Sequence, residues 1–275
     1  MKHFSIGRHS FLMMLSMILL IPFYLTFING FKTKADIINM PLALPFDRLT
    51  LANFARSAIS PSFNIFKAYG TSILITGVSV IFIILLCSMM SYVIARRKNT
   101  LMTLSYLLLL SGLMVPQQVV LLPLVKVLAM LGLMFTPQGL ILYNLGAYVP
   151  FTVFVYVGFI RVLSKELDES AKLDGASELT IFWRIIFPLL RPATGSVIIF
   201  LCLFIWNDFV NPLIILGSSR SYTVTTGIYL AVGQFSTNWD DVFALVTLAS
   251  APIFILFLFM QRQFISGLTE GSIKG

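Results

Sequence analysis

Between Ala68 and Ala95 the chain carries no charged side chain, and the same holds for the runs 11–31, 101–123, 140–160 and 242–261. An uncharged apolar run of about 20 residues is long enough to cross a bilayer as a helix, because a helix satisfies its own backbone hydrogen bonds in hydrocarbon. Several such runs in one chain exclude an ordinary water-soluble domain. The composition agrees: only 11% of residues are charged, against about 25% in a typical soluble domain. Strands of an outer-membrane barrel would appear as shorter segments alternating in polarity. These runs are continuously apolar, so the expected fold class is an all-α integral membrane protein with six transmembrane helices. The spans are expected at about 11–31, 70–95, 101–123, 140–160, 193–216 and 242–261. A secretory signal is the rival reading of the first run. That run is long for a signal core and no small-x-small cleavage site follows it, so a retained first span is expected.

Orientation follows from Lys and Arg near the span ends. The short loop Arg96-Arg97-Lys98 contrasts with the weakly charged connection 124–139, which puts both termini and the segments 161–192 and 262–275 in the cytoplasm. On this arrangement twelve of the basic residues lie inside and seven outside, five of these in or flanking one long loop where the rule is weak. The net charge of +8 is spread over span ends and does not suggest nucleic acid. Cys87 and Cys202 sit within apolar runs and offer neither a disulfide framework nor a metal spacing. His3 and His9 are the only histidines, and no G-x-x-x-x-G-K-[ST] occurs, so the chain has no phosphate-binding loop of that kind. It is not expected to be an enzyme.

One stretch breaks the apolar pattern. Ser164 to Pro192 reads SKELDESAKLDGASELTIFWRIIFPLLRP and holds five of the eleven acidic residues. Ser164 can cap a helix beginning at Lys165, with Glu166, Asp168 and Glu169 in its first turns, where negative charge suits the helix dipole. Leu163, Leu167 and Ala171 recur every four residues and predict one narrow apolar face. Asp174-Gly175 predicts its end, because glycine accepts the left-handed conformation past a C-cap. Ser177 can cap a second helix carrying Phe182, Ile185, Ile186 and Leu189, with Pro188 and Pro192 leading into the next span. An interfacial helix lying on lipid would be rich in Lys and Arg. This one is more acidic than basic and reads as a socket or plug for a cytoplasmic partner.

These residues resemble a known family. Glu169-Ser170-Ala171, Asp174-Gly175-Ala176, then Phe182, Ile185 and Pro188 are similar to the signature loop of membrane subunits of binding-protein-dependent ATP-driven (ABC) importers. Ser170 stands where alanine is usual, and Phe187 where leucine is common. Trp206-Asn207-Asp208-Phe209 with Pro212-Leu213 resembles the fifth span of the carbohydrate-uptake branch. Gly267-Leu268 through Gly271-Ser272-Ile273-Lys274-Gly275 resembles the tail of the smaller permease subunit of maltose-type importers, with Ser272-Ile273 replacing the usual Ala-Val and Glu270 a less common choice. The resemblance covers most of the chain and is strongest from Pro150 onward.

The resemblance implies a type I importer permease with a cytoplasmic coupling helix, within a bacterial cytoplasmic membrane. It implies that loop 164–192 docks on a separate ATPase, with Glu166, Glu169, Ser170, Ala171, Asp174, Gly175, Ala176 and Phe182 at the joint, and that Gly271 and Lys274 in the tail reach the same partner. ATP and magnesium would be bound by that ATPase, with no cofactor on this chain. A second homologous permease subunit and an extracytoplasmic solute-binding protein are the other implied partners. The binding protein would be met by the loop 217–241, through Ser218, Tyr222, Gln234 and Asn238, although an idle loop would have the same polar content. The cargo implied is a sugar or oligosaccharide. A permease for another solute class, or a stand-alone secondary transporter, are the alternatives.

Polar residues within spans are functional candidates by default. Gln117 and Gln118 beside Pro116 either line a pathway or gate, or repair the kink a proline makes. Asn207 and Asp208 either line a pathway or pack helices. Tyr143, Tyr148, Tyr156, Trp206 and Tyr229 could stack on sugar rings or fill space.

Overall fold

The computed structural model of the chain describes residues 3–44, 46–59, 63–97, 99–217, 221–234 and 238–272, with side chains over the same stretches except 3–6, 234, 260 and 262–272. The regular structure among them is helical apart from one isolated bridge between Ile59 and Asn64. In chain order the helices are α1 His3–Asn29, α2 Lys34–Asn39, α3 Ala52–Ala58, α4 Ile65–Arg96, α5 Thr100–Gly112, α6 Gln117–Met130, α7 Pro137–Val162 and α8 Glu166–Leu173. They continue as α9 Glu178–Ile181, a π-helical turn Phe182–Ile186, α10 Phe187–Leu189, α11 Arg191–Asn207, α12 Val210–Ile215, α13 Val224–Gln234 and α14 Trp239–Ser272. By length and composition, four described segments, within α1, α4, α7 and α14, can cross a membrane, or up to six if each of two bent pairs is one span.

Two of the expected spans fall on the bent pairs. In place of one helix over 101–123, α5 and α6 meet at 103°. Pro116 sits at the break with φ −62 and ψ 128. It has no N–H to continue α5 and its φ suits a helix start, so the proline ends one helix and opens the next. In place of one helix over 193–216, α11 stops at Asn207 and Asp208 is extended, at φ −64 and ψ 130. The Asp208 carboxylate accepts from Asn211 N at 3.3 Å and Asn211 Nδ2 at 2.9 Å. A short acidic side chain offering the backbone this alternative partner competes with the helix ladder. The expected loop 217–241 contains α13.

Two compact units divide the chain, one of Met1–Lys67 with Val224–Pro252 and one of Ala68–Thr223 with Ile253–Gly275. In the first, polar side chains tie the short helices. Asn53 Nδ2 donates to the Gly30 and Lys32 carbonyls at 3.0 and 2.7 Å. Lys32 is fully buried and its ammonium donates to the Met40 and Pro41 carbonyls, both at 2.9 Å. Burial pulls the Lys32 amine below its ordinary value, while nearby Asp36 works in the opposite direction. Arg56 bridges Asp240 at 2.9 Å and Asp241 at 2.8 Å, and its hydrogen bond to Asp241 raises its pKa further.

In the second unit α7 is the axis. Val153, Tyr156, Val157 and Ile160 are fully buried along it. They pack in one core with Ile83 and Cys87 of α4, Phe182 and Ile186 of the π turn, and Val197 and Leu201 of α11. Lipid tails are as apolar as leucine, so burial from water does not drive helices together within a bilayer. Close packing and interhelical hydrogen bonds do. Both are present: Ala193 and Gly195 of α11 are buried small residues. Asn144 Nδ2 on α7 donates to Ser79 Oγ on α4 at 3.1 Å, and the Tyr156 hydroxyl donates to Thr194 Oγ1 at 3.1 Å.

Candidate functional site

The acidic stretch folds as a helix, a glycine turn and a second helix. Helix α8 begins at Glu166, one residue later than expected, and Ser164 Oγ accepts from Glu166 N at 3.2 Å. Its end is a Schellman motif. Ala176 N donates to the Ala171 carbonyl at 3.0 Å and Gly175 N to the Lys172 carbonyl at 3.0 Å. Gly175 has φ +81, a conformation glycine adopts without the strain a Cβ brings. Ser177 then caps α9, accepting from Thr180 N at 3.3 Å.

The turn that follows is π-helical, with Phe187 N bonded back to the Phe182 carbonyl. Pro188 explains it. Proline has no N–H for the Arg184 carbonyl, and its ring would crowd that oxygen in an α-helix. Widening the turn by one residue removes both conflicts. The segment Glu178–Leu189 then meets α11 at 74°.

The buried face of α8 is only partly the one expected. Asp168 and Ala171 point inward, while Leu167 is 40% exposed. Ala171 and Phe182, both assigned to the partner joint from sequence, are inside the chain at 7% and 2% exposure. Phe182 packs against Tyr92, Trp183 and Phe187 with ring centroids 5.6, 4.8 and 5.8 Å apart. These two therefore pack the loop onto its base rather than lying on its outer face. Glu166, Glu169, Ser170, Asp174 and Gly175 are exposed and Ala176 is half-buried. Between the acids stands Leu173, 89% exposed.

Asp168 carries the attachment. One carboxylate oxygen accepts from the Tyr92 hydroxyl at 2.6 Å, and the other pairs with Arg96 Nη2 at 2.8 Å. Both charged side chains are nearly buried, at 11% and 9% exposure. Arg96 also donates to the Ile160, Leu163 and Ser164 carbonyls at 3.4, 3.0 and 3.2 Å. These carbonyls lie in the last turn of α7, at its C-cap and just beyond it. One guanidinium thus joins the end of α4, the end of α7 and α8. Outside it, Arg97 and Lys172 make exposed bridges to Glu178 at 3.2 and 3.9 Å.

Sequence reasoning used Arg96 only for orientation and Asp168 only as a first-turn acid, and missed Tyr92. The available signal was Tyr92 and Arg96 one turn apart at the end of an uncharged run, which puts a hydroxyl and a cation on one helix face.

A second group of candidates meets at the break after α11. Gln117, Tyr148, Phe204, Asn207 and Asp208 line a cavity of about 530 Å³. Gln117 Oε1 accepts from the Tyr143 hydroxyl at 3.1 Å, and Asn207 Nδ2 donates to the Leu203 carbonyl at 2.8 Å. Tyr148 and Phe204 stack with planes 6° apart. Gln118 is exposed and not on this wall. Of the aromatic candidates, Tyr143, Tyr148, Tyr156 and Trp206 are buried, and Tyr229 is exposed in the other unit.

The remaining candidates do not form a described site. Tyr222 is half-buried and Asn238 exposed, in different units. Ser218, the side chain of Gln234 and Lys274 lie outside the described residues. Gly271 falls in the last turn of α14, which continues as helix over much of the expected tail 262–275.

The backbone matches a crystal structure of a bacterial ABC transporter involved in the import of the acidic polysaccharide alginate, with a TM-score of 0.81, 18% identity and coverage of 96% of this chain and 97% of that one. The fold is that of an ABC transporter permease, a multi-pass membrane subunit and not itself an enzyme. Residues 83–270 match the binding-protein-dependent transport system inner membrane component family, and the chain belongs to it. It is 35% identical to the melibiose/raffinose/stachyose import permease protein MelC of Bacillus subtilis, over 93% of this chain and 91% of that protein. It is 34% identical to the multiple sugar-binding transport system permease protein MsmG of Streptococcus mutans, over 94% and 92%. The arabinooligosaccharides transport system permease protein AraQ of Bacillus subtilis is 32% identical over 99% and 96%.

Proposed function

We propose that this chain is one of two permease subunits of an ATP-driven importer that carries a sugar or oligosaccharide into the bacterial cytoplasm, with both termini inside. A separate ATPase dimer binds the nucleotide and magnesium, and an extracytoplasmic binding protein delivers the cargo. The relatives named above, all sugar or oligosaccharide permeases by name, support the cargo class.

The observation that carries the coupling role is the way α8 is mounted. Its outer face offers Glu166, Glu169, Leu173 and Asp174 to a partner, while Asp168 fastens its inner face to Arg96 and Tyr92. A push on α8 is therefore delivered to α4 and α7 together through the Arg96 guanidinium. It passes by the π turn and the 74° bend into α11, which ends at the cavity holding Gln117, Tyr148, Asn207 and Asp208. That cavity combines amide and carboxylate groups with aromatic faces, which suits hydroxyl-rich rings. Gln234, Ser218, Tyr222 and Asn238 remain proposed contacts of the binding protein, and Gly271 and Lys274 of the ATPase.

Uptake of a labelled oligosaccharide by vesicles containing the two permeases, the ATPase and the binding protein tests the reading. ATP inside the vesicle is expected to drive uptake. Uptake driven by membrane potential without ATP or the ATPase would overturn it.

A further inference from the structure

A cavity of about 680 Å³ lies at the junction of α4, α5 and α7, beside the coupling path. Arg96, Arg97, Arg161 and Lys165 line it, together with Thr100 and Thr103, and among the described residues no carboxylate does. Arg96 and Arg97 already have Asp168 and Glu178 as partners. Among the described residues no carboxylate pairs with Arg161 or Lys165, and both are exposed. Arg161 is held in place, its guanidinium 4.8 Å from the centre of the Tyr106 ring.

The first turn of α5 opens on the same space. Asn99 Oδ1 satisfies the Met102 N–H at 2.8 Å, and the leading N–H groups of a helix beyond its cap face outward with the positive end of its dipole. Next to these polar groups α5 turns apolar. Leu104, Leu107 and Leu108 follow Thr100 and Thr103 at helical spacing and are 63%, 55% and 72% exposed, and α5 buries no residue. Cations and hydroxyls above an uncovered leucine face match a phospholipid, whereas a soluble phosphate would need only the upper half. Basic pockets at the cytoplasmic ends of spans are suited to anionic headgroups.

We propose that this cavity binds the headgroup phosphate of an anionic phospholipid of the cytoplasmic leaflet, with its acyl chains along α5. The complete transporter, reconstituted in vesicles of equal phosphatidylglycerol and phosphatidylcholine and then gently extracted, is analysed for retained lipid by native mass spectrometry. Phosphatidylglycerol is expected to be enriched. Arg161→Gln and Lys165→Gln are each expected to weaken its retention about fivefold, and Arg161→Lys to preserve it. If Arg161→Gln fails to assemble, Lys165→Gln on its exposed side chain decides the matter. Equal retention of the two lipids, or enrichment unaltered by the glutamine variants, would overturn the proposal. So would saturable binding of inorganic phosphate by the transporter in phosphatidylcholine vesicles if the same variants abolish it, because the ligand would then be soluble.

Discussion

Asp168 is a carboxylate placed where an uncompensated charge is expensive. Its two oxygens are answered by a hydroxyl and a guanidinium, and removing the carboxylate leaves the nearly buried Arg96 without its counter-charge. Breaking such a pair typically costs about 3–5 kcal/mol. Asp168→Ala should therefore lower the unfolding midpoint of the purified complex markedly. Tyr92→Phe, which removes one hydrogen bond to a charged group, should lose about 1.5–3 kcal/mol. The double variant Asp168→Leu with Arg96→Met should recover much of the loss, since an apolar pair of similar bulk leaves no orphaned charge. An Asp168→Ala midpoint within about 0.5 kcal/mol of the parent would mean that the cluster is not holding the loop.

At the scale of elements, the loop depends on backbone conformations only certain residues supply. Gly175 is left-handed, and a Cβ there would meet nothing within 4 Å. The penalty of Gly175→Ala is thus conformational rather than steric, about 1–2 kcal/mol. Gly175→Asn should cost less, because asparagine tolerates this region. Amide exchange in α8 reads the difference, and equal protection in all three chains would argue against the turn as described.

Much of this loop was legible from sequence. Ser177, Gly175 and the acidic first turn act through local rules that need no knowledge of the rest of the chain. The facing of α8 was not legible. Periodicity placed Leu163, Leu167 and Ala171 on the buried side, but the structure buries Asp168 in place of Leu167. That exchange depends on Arg96 and Tyr92, more than seventy residues away, and a local apolar pattern carries no trace of such a partner. The kink at Pro116 was legible from the proline, but its sharpness and the break at Asp208 were hidden. Both lie in apolar runs that hydropathy reads as continuous, and one carboxylate bonding to the backbone three residues on is enough to interrupt a helix.

At the scale of the whole molecule, stability and coupling should separate by which face of α8 is altered. Leu173 is almost wholly exposed, so Leu173→Glu is expected to leave stability within about 0.5 kcal/mol. It should nevertheless abolish co-purification of the ATPase and ATP-driven uptake. Ala171→Leu meets a filled interior and should cost about 1–3 kcal/mol, with coupling lost as a secondary effect. If Leu173→Glu retains both the ATPase and uptake, the outer face of α8 is not the joint.

The widened turn from Phe182 to Ile186 makes the segment's length a functional quantity. It holds one residue more than an α-helix needs over the same rise, so it acts as a phase shift between the acidic plug and the span beyond. Pro188→Ala, by letting the turn close to a regular α-helix with no residue removed, would give a smoother helix. The plug, however, would be rotated by roughly 100° about that axis, turning Leu173 away from its partner. The resulting chain would be a sound membrane protein and an idle gear.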